Sequence, residues 1–300
     1  MQSFIKYLKR DKLLYLMLVP GIAFFIIFKY VPMYGILIAF KEYSFKGGIT
    51  GSPWVGLKYF NQFFGSPDFG RVMGNTIKIS LYKLIIGFPA PIIFAMLLNE
   101  VRNSVYKRTI QTVVYLPHFL SWVVIGNLVI ILLAPKSGLI SGMLTLMTGK
   151  EINLLMNPDY FRGVLVLSDM WKELGWSTII YLAALNGVDP NLYEAADIDG
   201  ANGFQSMIHI TLPSIRSVVI IMLILRVGYI LDAGFEQVLI MSNALVNDVS
   251  EIIDTYVYKI GLLQAQYSLS TAVNLFKSAI GLCLVVTINK IAKRWGEELW

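Results

Sequence analysis

Long apolar runs separated by shorter polar stretches fill most of the chain. The hydrocarbon core of a bilayer is about 30 Å thick, so one helical span needs roughly 20 apolar residues. The pattern therefore predicts an all-α membrane protein with about six transmembrane helices. The predicted spans are 13–40, 76–98, 110–133, 161–185, 217–241 and 271–291.

The second span and the segment before it carry residues that are unusual for a straight membrane helix. Pro89 and Pro91 are expected to bend the span, which is tolerated where neighbouring groups satisfy the freed carbonyls. The preceding segment, residues 41–70, contains Gly, Pro and several aromatic residues. The pattern leaves open whether this segment contacts an external binding protein or is a plain packed loop.

Composition supports the membrane assignment and narrows the set of partners. Hydrophobic residues make up 56% of the 300 and charged residues only 15%, whereas soluble domains carry about 25% charge. The net charge of +6 does not indicate nucleic-acid binding, because the basic residues lie at the ends of apolar runs without interleaved aromatics. The single cysteine, Cys283, excludes a disulfide framework and a cysteine metal site.

The distribution of Lys and Arg predicts the orientation of the spans. Lys6, Lys9, Arg10 and Lys12 precede the first apolar run, and no small-residue cleavage site follows it, so an uncleaved first span is expected. Lys and Arg near span ends are more frequent on the side of the N-terminus. This bias favours a chain with both termini in the cytosol.

The polar stretch 186–216, between the fourth and fifth spans, carries signals for helical structure and is not typical of a simple linker. Asp189 is a good N-cap and Pro190 suits the first helical position, so a short helix over 192–197 is expected, ended by Gly200. A second helical piece is expected at 204–208. Caps and glycine stops of this kind are also ordinary in any long loop, so these features alone do not identify a function.

Seven positions in this stretch share one spacing, namely Glu-Ala-Ala, three residues, Gly, nine residues, Ile, one residue and Leu-Pro. They are Glu194, Ala195, Ala196, Gly200, Ile210, Leu212 and Pro213. The stretch resembles the EAA loop of the permease subunits of binding-protein-dependent ABC importers. The resemblance implies that Glu194 to Gly200, Asp199 included, form a coupling helix that docks on a separate ATPase, with Leu212 and Pro213 fixing entry into the next span.

Further segments extend the resemblance over most of the chain. Asn75-Thr76, YLPHFLSW at 115–122 and YLAALNGVDPNLYEAA at 181–196 are similar to the type I importer permease domain. The implied domains are 1–73, with an N-terminal tail, first helix and extracytoplasmic segment; 74–291, the transmembrane domain with the 186–216 loop; and 292–300, a cytosolic tail. YVPMYGILIAF at 30–40, WVGLKYF at 54–60 and GFEQV at 234–238 resemble the LplB/YteP-like oligosaccharide permeases.

The resemblance implies a complete set of partners. The chain would form half of a pore with a second permease subunit, expected to be a different chain. Two ATPase subunits would carry ATP-Mg, and an extracytoplasmic solute-binding protein would deliver an oligosaccharide across a bacterial cytoplasmic membrane. The chain itself has no G-x-x-x-x-G-K-[ST] stretch, so we expect no cofactor and no enzyme activity of its own. We also expect no metal site, because His118 and His209 lie on different predicted segments.

Ionisable residues inside spans are costly and should face protein or water. At 100° per residue, Arg226, Tyr229, Asp232 and Glu236 of the fifth span fall on one arc of about 120°. The sixth span adds Asn274, Lys277 and Ser278. These two stripes either line the substrate pathway or pair internally, Arg226 or Lys277 with Asp232 or Glu236.

Two tryptophans near helix ends leave a similar choice. Trp122 and Trp176 are either interfacial anchors or platforms that stack on a sugar ring. Two wider alternatives also remain at this stage. One is an ABC importer for another solute, such as an amino acid or phosphate, and the other is a carrier driven by an ion gradient. A membrane enzyme would need a convergent nucleophile and base, and the sequence offers no such pair.

Overall fold

The computed structural model describes residue 10 and residues 12–294, and these residues are almost entirely helical. The basic residues Lys6 and Lys9 and most of the predicted C-terminal tail, residues 295–300, lie outside the described residues. Within the described part of the chain, β-pairing is limited to one isolated bridge between Lys41 and Trp54. The architecture is therefore all-α, as the apolar pattern predicts.

Four helices of the described residues are long, and shorter helices lie between them along the chain. The long helices are α1 (Lys12–Phe40), α4 (Pro67–Asn99), α8 (Pro158–Leu185) and α15 (Tyr267–Lys293). The shorter helices are α2 (Gly48–Gly51), α3 (Lys58–Phe64), α5 (Ser104–Phe119), α6 (Trp122–Leu132), α7 (Leu139–Thr148), α9 (Pro190–Ile198), α10 (Gly203–Ser214), α11 (Arg216–Gly228), α12 (Phe235–Met241), α13 (Asn247–Ser250) and α14 (Ile253–Tyr258, continued by a π turn, Lys259–Leu263).

Length and composition make α1, α4 and α15 long and apolar enough to cross a membrane. Two bent pairs, α5 with α6 and α10 with α11, raise the number in the described residues to five if each pair is one span. Helix α8 is about 42 Å long at 1.5 Å per residue, and its several charged residues distinguish it from the others. If α8 is added for its length, up to six helices of the described residues could cross a bilayer, in agreement with the predicted number.

The chain divides into two compact units. The first contains Met1–Ser66 and Val257–Leu275, and the second contains Pro67–Tyr256 and Phe276–Trp300. In the first unit, the Lys41 ammonium donates to the carbonyls of Ile49 and Thr50, and Ser268 binds the backbone of Lys41 and Tyr43. The segment 41–70 is thus ordered by specific hydrogen bonds and contains two short helices. The predicted domain limits 1–73, 74–291 and 292–300 stay a prediction.

The core of the second unit consists of two apolar clusters. One surrounds Phe161 and Leu165 of α8 and includes Ile125 of α6 and Val238 of α12. The other joins the C-terminal halves of α4 and α8 to Ile215, which is 1% exposed. Helix α8 contributes to both clusters, so it is the central element of this unit.

The predicted third span, 110–133, is not one straight helix. Helices α5 and α6 meet at 105° across residues 120 and 121. Leu120 and Ser121 have extended backbone, and the Ser121 hydroxyl caps α6 by accepting from the Val124 N–H. Pro117 lies in the 3-10 turn that ends α5, where continued α-helix is disfavoured. A hydroxyl cap after a proline turn is thus the local reason for the break.

The predicted fifth span, 217–241, is also wrong as a continuous helix. Helix α11 ends at Gly228, and α12 begins at Phe235 after a stretch that includes Gly234 at φ +96°. Only glycine adopts that region readily. At its other end, α11 meets α10 at 64°, and Pro213 lies within α10 instead of opening the span. The second span also differs, since α4 begins at Pro67 instead of Thr76.

Candidate functional site: an exposed helical loop and a charged cavity

The loop 186–216 folds as the caps predict. The Asp189 carboxylate accepts the Asn191 N–H at the start of α9, and Pro190 occupies the first turn. Asp199 is the C-cap, and Gly200 ends the helix at φ +79°. No side chain of α9 is buried. The helix that carries Glu194, Ala195 and Ala196 is therefore presented outward.

Helix α10 gives this loop a defined shape. A reciprocal capping box between Asn202 and Gln205 begins the helix. The Tyr193 hydroxyl of α9 lies 3.0 Å from the Thr211 hydroxyl of α10, which ties the two helices together. Between them lies a shallow cleft of about 310 Å³. Its lining consists of Ala196, Asp199, Gly200, Ala201, Gln205, Ser206, His209 and Ile210.

The last residues of the predicted pattern lie at the end of α10. Leu212 and Pro213 form its final turn, directly before the bend to α11. Ile215, at the bend, is buried against Tyr181 and Leu185 of α8. The seven pattern positions thus share one compact hairpin, with its inner end anchored in an apolar cluster and α9 exposed.

A cavity of about 460 Å³ lies between α4, α8 and α11. Ionisable residues from each of these helices and from the stretch after α11 line it, and they are Lys83, Asp169, Glu173, Arg226 and Asp232. Tyr181 and Tyr229 add two phenolic hydroxyls. The cavity therefore combines hydrogen-bond donors and acceptors of both charges within a largely apolar bundle.

Lys83 is the most deeply buried cation of this cavity, with only 3% of its surface exposed. Its ammonium donates to Asp169 at 2.8 Å, to the Ala233 carbonyl at 3.0 Å and to the Gln237 side-chain oxygen at 2.6 Å. The Gln237 amide in turn donates to the Leu165 carbonyl and to the Ser168 hydroxyl. This network satisfies a buried ammonium completely, as a charge in such a place requires.

Sequence reasoning missed Lys83, Asp169 and Gln237. The available signal was a lysine and an aspartate inside otherwise apolar predicted spans, which by itself indicates a functional or paired position. Their pairing was not readable from spacing, because Lys83 and Asp169 are 86 positions apart.

The predicted pathway residues of the fifth span have different outcomes. Arg226, Tyr229 and Asp232 line the cavity, whereas Glu236 lies outside its lining, in the first turn of α12. The helical-wheel arc that grouped these four is wrong, because the helix ends at Gly228. The arc still predicted three of the lining residues correctly, because residues 229, 232 and 234, which follow α11, line the same cavity as Arg226.

The predicted internal ion pairs form with other partners. Arg226 lies 4.0 Å from Asp169, and Lys277 pairs with Asp254 of α14. Burial raises the pKa of the Asp254 carboxyl, while Lys277 opposes that shift. In the part of the chain that the structure describes, neither cation takes Asp232 or Glu236 as its ion-pair partner. Asn274 lies one turn before Lys277 on α15 and belongs to the first unit.

The two tryptophans lie around the break between α5 and α6. Trp176 of α8 stacks on the His118 ring with centroids 4.5 Å apart, and His118 lies 2.9 Å from the Glu173 carboxylate. Trp122, the first residue of α6, has the Lys172 ammonium 5.7 Å from its ring. Each tryptophan therefore contacts another part of the protein. Trp176 of α8 contacts the His118 ring at the break, and Trp122 at the break contacts the Lys172 ammonium of α8.

Among the described residues, no group of three or more His, Cys, Asp or Glu is placed to hold a metal ion. His209 binds the Gln205 carbonyl within α10, far along the chain from His118. Cys283 is exposed on α15.

Comparison with known proteins gives consistent matches over nearly the whole chain. Residues 87–297 match the family described as binding-protein-dependent transport system inner membrane component. The chain is 50% identical to Protein LplB of Bacillus subtilis over 99% of this chain and 93% of that protein. It is also 50% identical to the polygalacturonan/rhamnogalacturonan transport system permease protein YteP of the same species, over 96% of this chain and 90% of that protein.

Solved structures agree with these sequence relatives. One is a chain of a bacterial ABC transporter involved in the import of the acidic polysaccharide alginate. It is 38% identical, with a TM-score of 0.89, and the match covers 97% of this chain and 99% of that chain. A second structure holds the alginate transporter in complex with an alginate pentasaccharide-bound periplasmic protein, also at 38% identity and a TM-score of 0.89.

Proposed function

This chain belongs to the binding-protein-dependent transport system inner membrane components and has the type I ABC importer permease fold, and we propose that it is the pore-forming permease of an ATP-driven oligosaccharide importer. The observation that carries the proposal is the exposed helix α9. It presents the Glu-Ala-Ala positions outward and buries none of its side chains. Exposed small side chains let the backbone of a second protein approach closely, which suits this helix to docking.

We assign the docking surface for the ATPase subunits, the motor of the transporter, to Glu194, Ala195, Ala196, Asp199 and Gly200. The small side chains permit close approach, and Glu194 offers a carboxylate to an arginine of the partner. Ile210, Leu212 and Pro213 hold the base of the hairpin. In this assignment two ATPase subunits carry ATP-Mg, while this chain binds no cofactor and catalyses no covalent reaction.

The carbohydrate assignment rests on the relatives and on the chemistry of the cavity. The names of YteP and of the alginate transporter refer to polysaccharides. Arg226, Tyr229 and Asp232 offer donors and acceptors suited to sugar hydroxyls, next to the apolar surface of Phe88 and Met222. We therefore assign these three residues to the substrate pathway. The part of Glu236, Asn274, Lys277, Trp122 and Trp176 in the pathway stays a prediction, because none of them belongs to the cavity lining.

Transport then follows from alternating access. A solute-binding protein outside the bacterial cytoplasmic membrane delivers the oligosaccharide to this chain and to a second, different permease subunit. Both termini and α9 lie in the cytosol. ATP binding closes the ATPases and draws α9 inward, and the pathway reopens toward the outside.

The test removes the proposed docking surface on α9. Deletion of Glu194–Gly200 should abolish oligosaccharide uptake and co-purification of the ATPase, while the chain remains inserted in the membrane. The control replaces Leu146 and Met147 by Ala on α7, another short helix whose side chains are strongly exposed. Normal uptake by the deletion variant would exclude α9 as the coupling element. Equal loss in the α7 control would show that the effect is not specific to α9.

A further inference from the structure

Two of the spans predicted from the sequence, 110–133 and 217–241, are interrupted in the second unit, and a buried lysine binds each break. The first break consists of residues 120 and 121, between α5 and α6. The second consists of residues 229–234, between α11 and α12. A helix that ends inside a bundle leaves carbonyl groups without intrahelical partners. These carbonyls carry the negative end of the helix dipole, so a cation is the matching partner.

Lys172 of α8 binds the first break. It is 6% exposed, and its ammonium lies 2.7 Å from the His118 carbonyl, 2.9 Å from the Leu120 carbonyl and 3.5 Å from the Pro117 carbonyl. Three acceptors use the full donor capacity of an ammonium. The end of α5 is therefore fixed to α8 by one charged group.

Close backbone packing strengthens the same contact. A Cβ at Gly175, one turn beyond Lys172, would collide with the backbone oxygen of Val114 on α5. Trp176 stacks on His118, and Glu173 lies within hydrogen-bond distance of the same ring. Residues 172–176 on one face of α8 thus bind the end of α5 by three interactions: the Lys172 hydrogen bonds, the Trp176–His118 stacking and the close backbone packing at Gly175.

The Lys83–Asp169 pair binds the second break. Lys83 donates to the Ala233 carbonyl inside the break and to Gln237 just beyond it, and Asp169 of α8 accepts from the same ammonium. At Gly234 a Cβ would lie 2.7 Å from the Lys83 nitrogen, so the break is shaped around this lysine. Asp169 and Lys172 are three positions apart, on neighbouring positions of one face of α8.

Helix α8 leads directly into α9. The turn at 186–188 is closed by hydrogen bonds from Asn186, Gly187 and Val188 to the last carbonyls of α8. Tyr181 and Leu185 of α8 pack with Ile215 at the base of the loop. One continuous, well-packed element therefore connects the exposed loop with both helix breaks, of which the second lines the cavity.

We propose that Asp169, Lys172 and Lys83 are positioning residues that make α8 a rigid arm, through which movement of α9 shifts both helix breaks together. The proposal rests on the proposed function, because the arm needs a motor at α9. Loss of one lysine should leave the motor bound and hydrolysing ATP, but should allow α8 to move without carrying the break with it. Transport would then be uncoupled from ATP hydrolysis.

The test uses the assembled transporter in proteoliposomes and measures oligosaccharide molecules imported per ATP hydrolysed. In Lys172→Met, which keeps length and removes charge, we expect the ratio to fall roughly 2- to 30-fold, the range found for residues that modulate coupling. Lys172→Arg retains a cation able to reach several carbonyls and should restore most of the ratio. Lys78→Met is the matched control, since Lys78 is an exposed lysine of α4, and it should leave the ratio unchanged.

A second measurement follows the geometry of the first break directly, through a distance across it. Spin labels at Val113 and Val123, both exposed and on opposite sides of the first break, in a Cys283→Ser background, give the distribution of distances across it. We expect a narrow distribution in the parent and a broad one in Lys172→Met. A purely structural lysine would lower the yield of assembled transporter, with an unchanged ratio per assembled complex.

An unchanged ratio together with an unchanged distance distribution in Lys172→Met would overturn the proposal. If that variant does not assemble, Asp169→Asn is scored by the same ratio, and an unchanged ratio there has the same consequence. Failure of the proposed function is separate, because the parent chain would then co-purify with no ATPase and import no oligosaccharide before any variant is compared.

Discussion

The exposed loop and the charged cavity hold their polar groups by different means. In α9 no side chain is buried, and the helix is fixed at its ends by Asp189, Gly200 and the Tyr193–Thr211 contact. Lys83 at the cavity and Lys172 on the neighbouring part of α8 are almost fully buried, and each has three oxygen partners. A surface that another protein covers needs only a defined shape, whereas a charge inside the bundle needs internal partners. Substitutions should therefore destabilise the isolated chain strongly near the cavity and weakly in the loop.

Lys83→Met gives the largest expected effect on stability. It removes the close cation of Asp169, which keeps only Arg226 at 4.0 Å, and leaves the Gln237 oxygen without its donor. Breaking a buried pair costs about 3–5 kcal/mol. The melting temperature of the purified chain should fall well below that of Lys78→Met, which removes an exposed lysine from the same helix. Equal melting temperatures for the two variants would contradict the role given to the Lys83 network.

Gly175→Ala tests the contact of α8 with α5. The added methyl meets the Val114 backbone, which cannot rotate away, and overpacking of this kind costs about 1–3 kcal/mol. Gly163 of the same helix has open space around it, so Gly163→Ala should instead raise stability by about 0.5–1 kcal/mol through helix propensity. Thermal unfolding of the two variants should thus shift in opposite directions, and shifts of the same sign would refute the close-contact explanation.

Gly200→Ala should have a smaller effect. The left-handed backbone at φ +79° costs an alanine about 1–2 kcal/mol, although no neighbouring atom opposes the methyl. Much of this cost can be avoided by fraying the exposed end of α9, so the measured loss should be about 1 kcal/mol or less. Gly203→Ala, at the start of α10 with negative φ, is the comparison, and the melting curve of Gly200→Ala should lie slightly below it.

Glu194→Ala should change stability least, within about 0.5 kcal/mol, because the side chain is exposed. Its effect should be on the partner instead, with less ATPase retained when the chain is purified from native membranes. Retention equal to that of the parent would remove Glu194 from the docking surface without altering the account of the cavity.

The sequence by itself determined the local features of this protein. Apolar runs of bilayer length predicted the membrane helices, because thickness and helix rise leave little freedom. The Asp189-Pro190 start and the Gly200 stop predicted α9, because caps and left-handed glycines act within a few residues. The seven-position spacing of the loop is likewise contained in twenty consecutive residues.

Only the tertiary structure decided which charges meet. Local residues end the helices at Phe119 and Gly228, but the carbonyls freed at both breaks are bound by buried lysines of other helices. The wheel that grouped Arg226 with Glu236 was wrong because α11 ends at Gly228. The pairing left open in the sequence occurs with other carboxylates, Asp169 for Arg226 and Asp254 for Lys277. Pairing across 86 residues, as between Lys83 and Asp169, follows from helix packing and leaves no periodic trace in the chain.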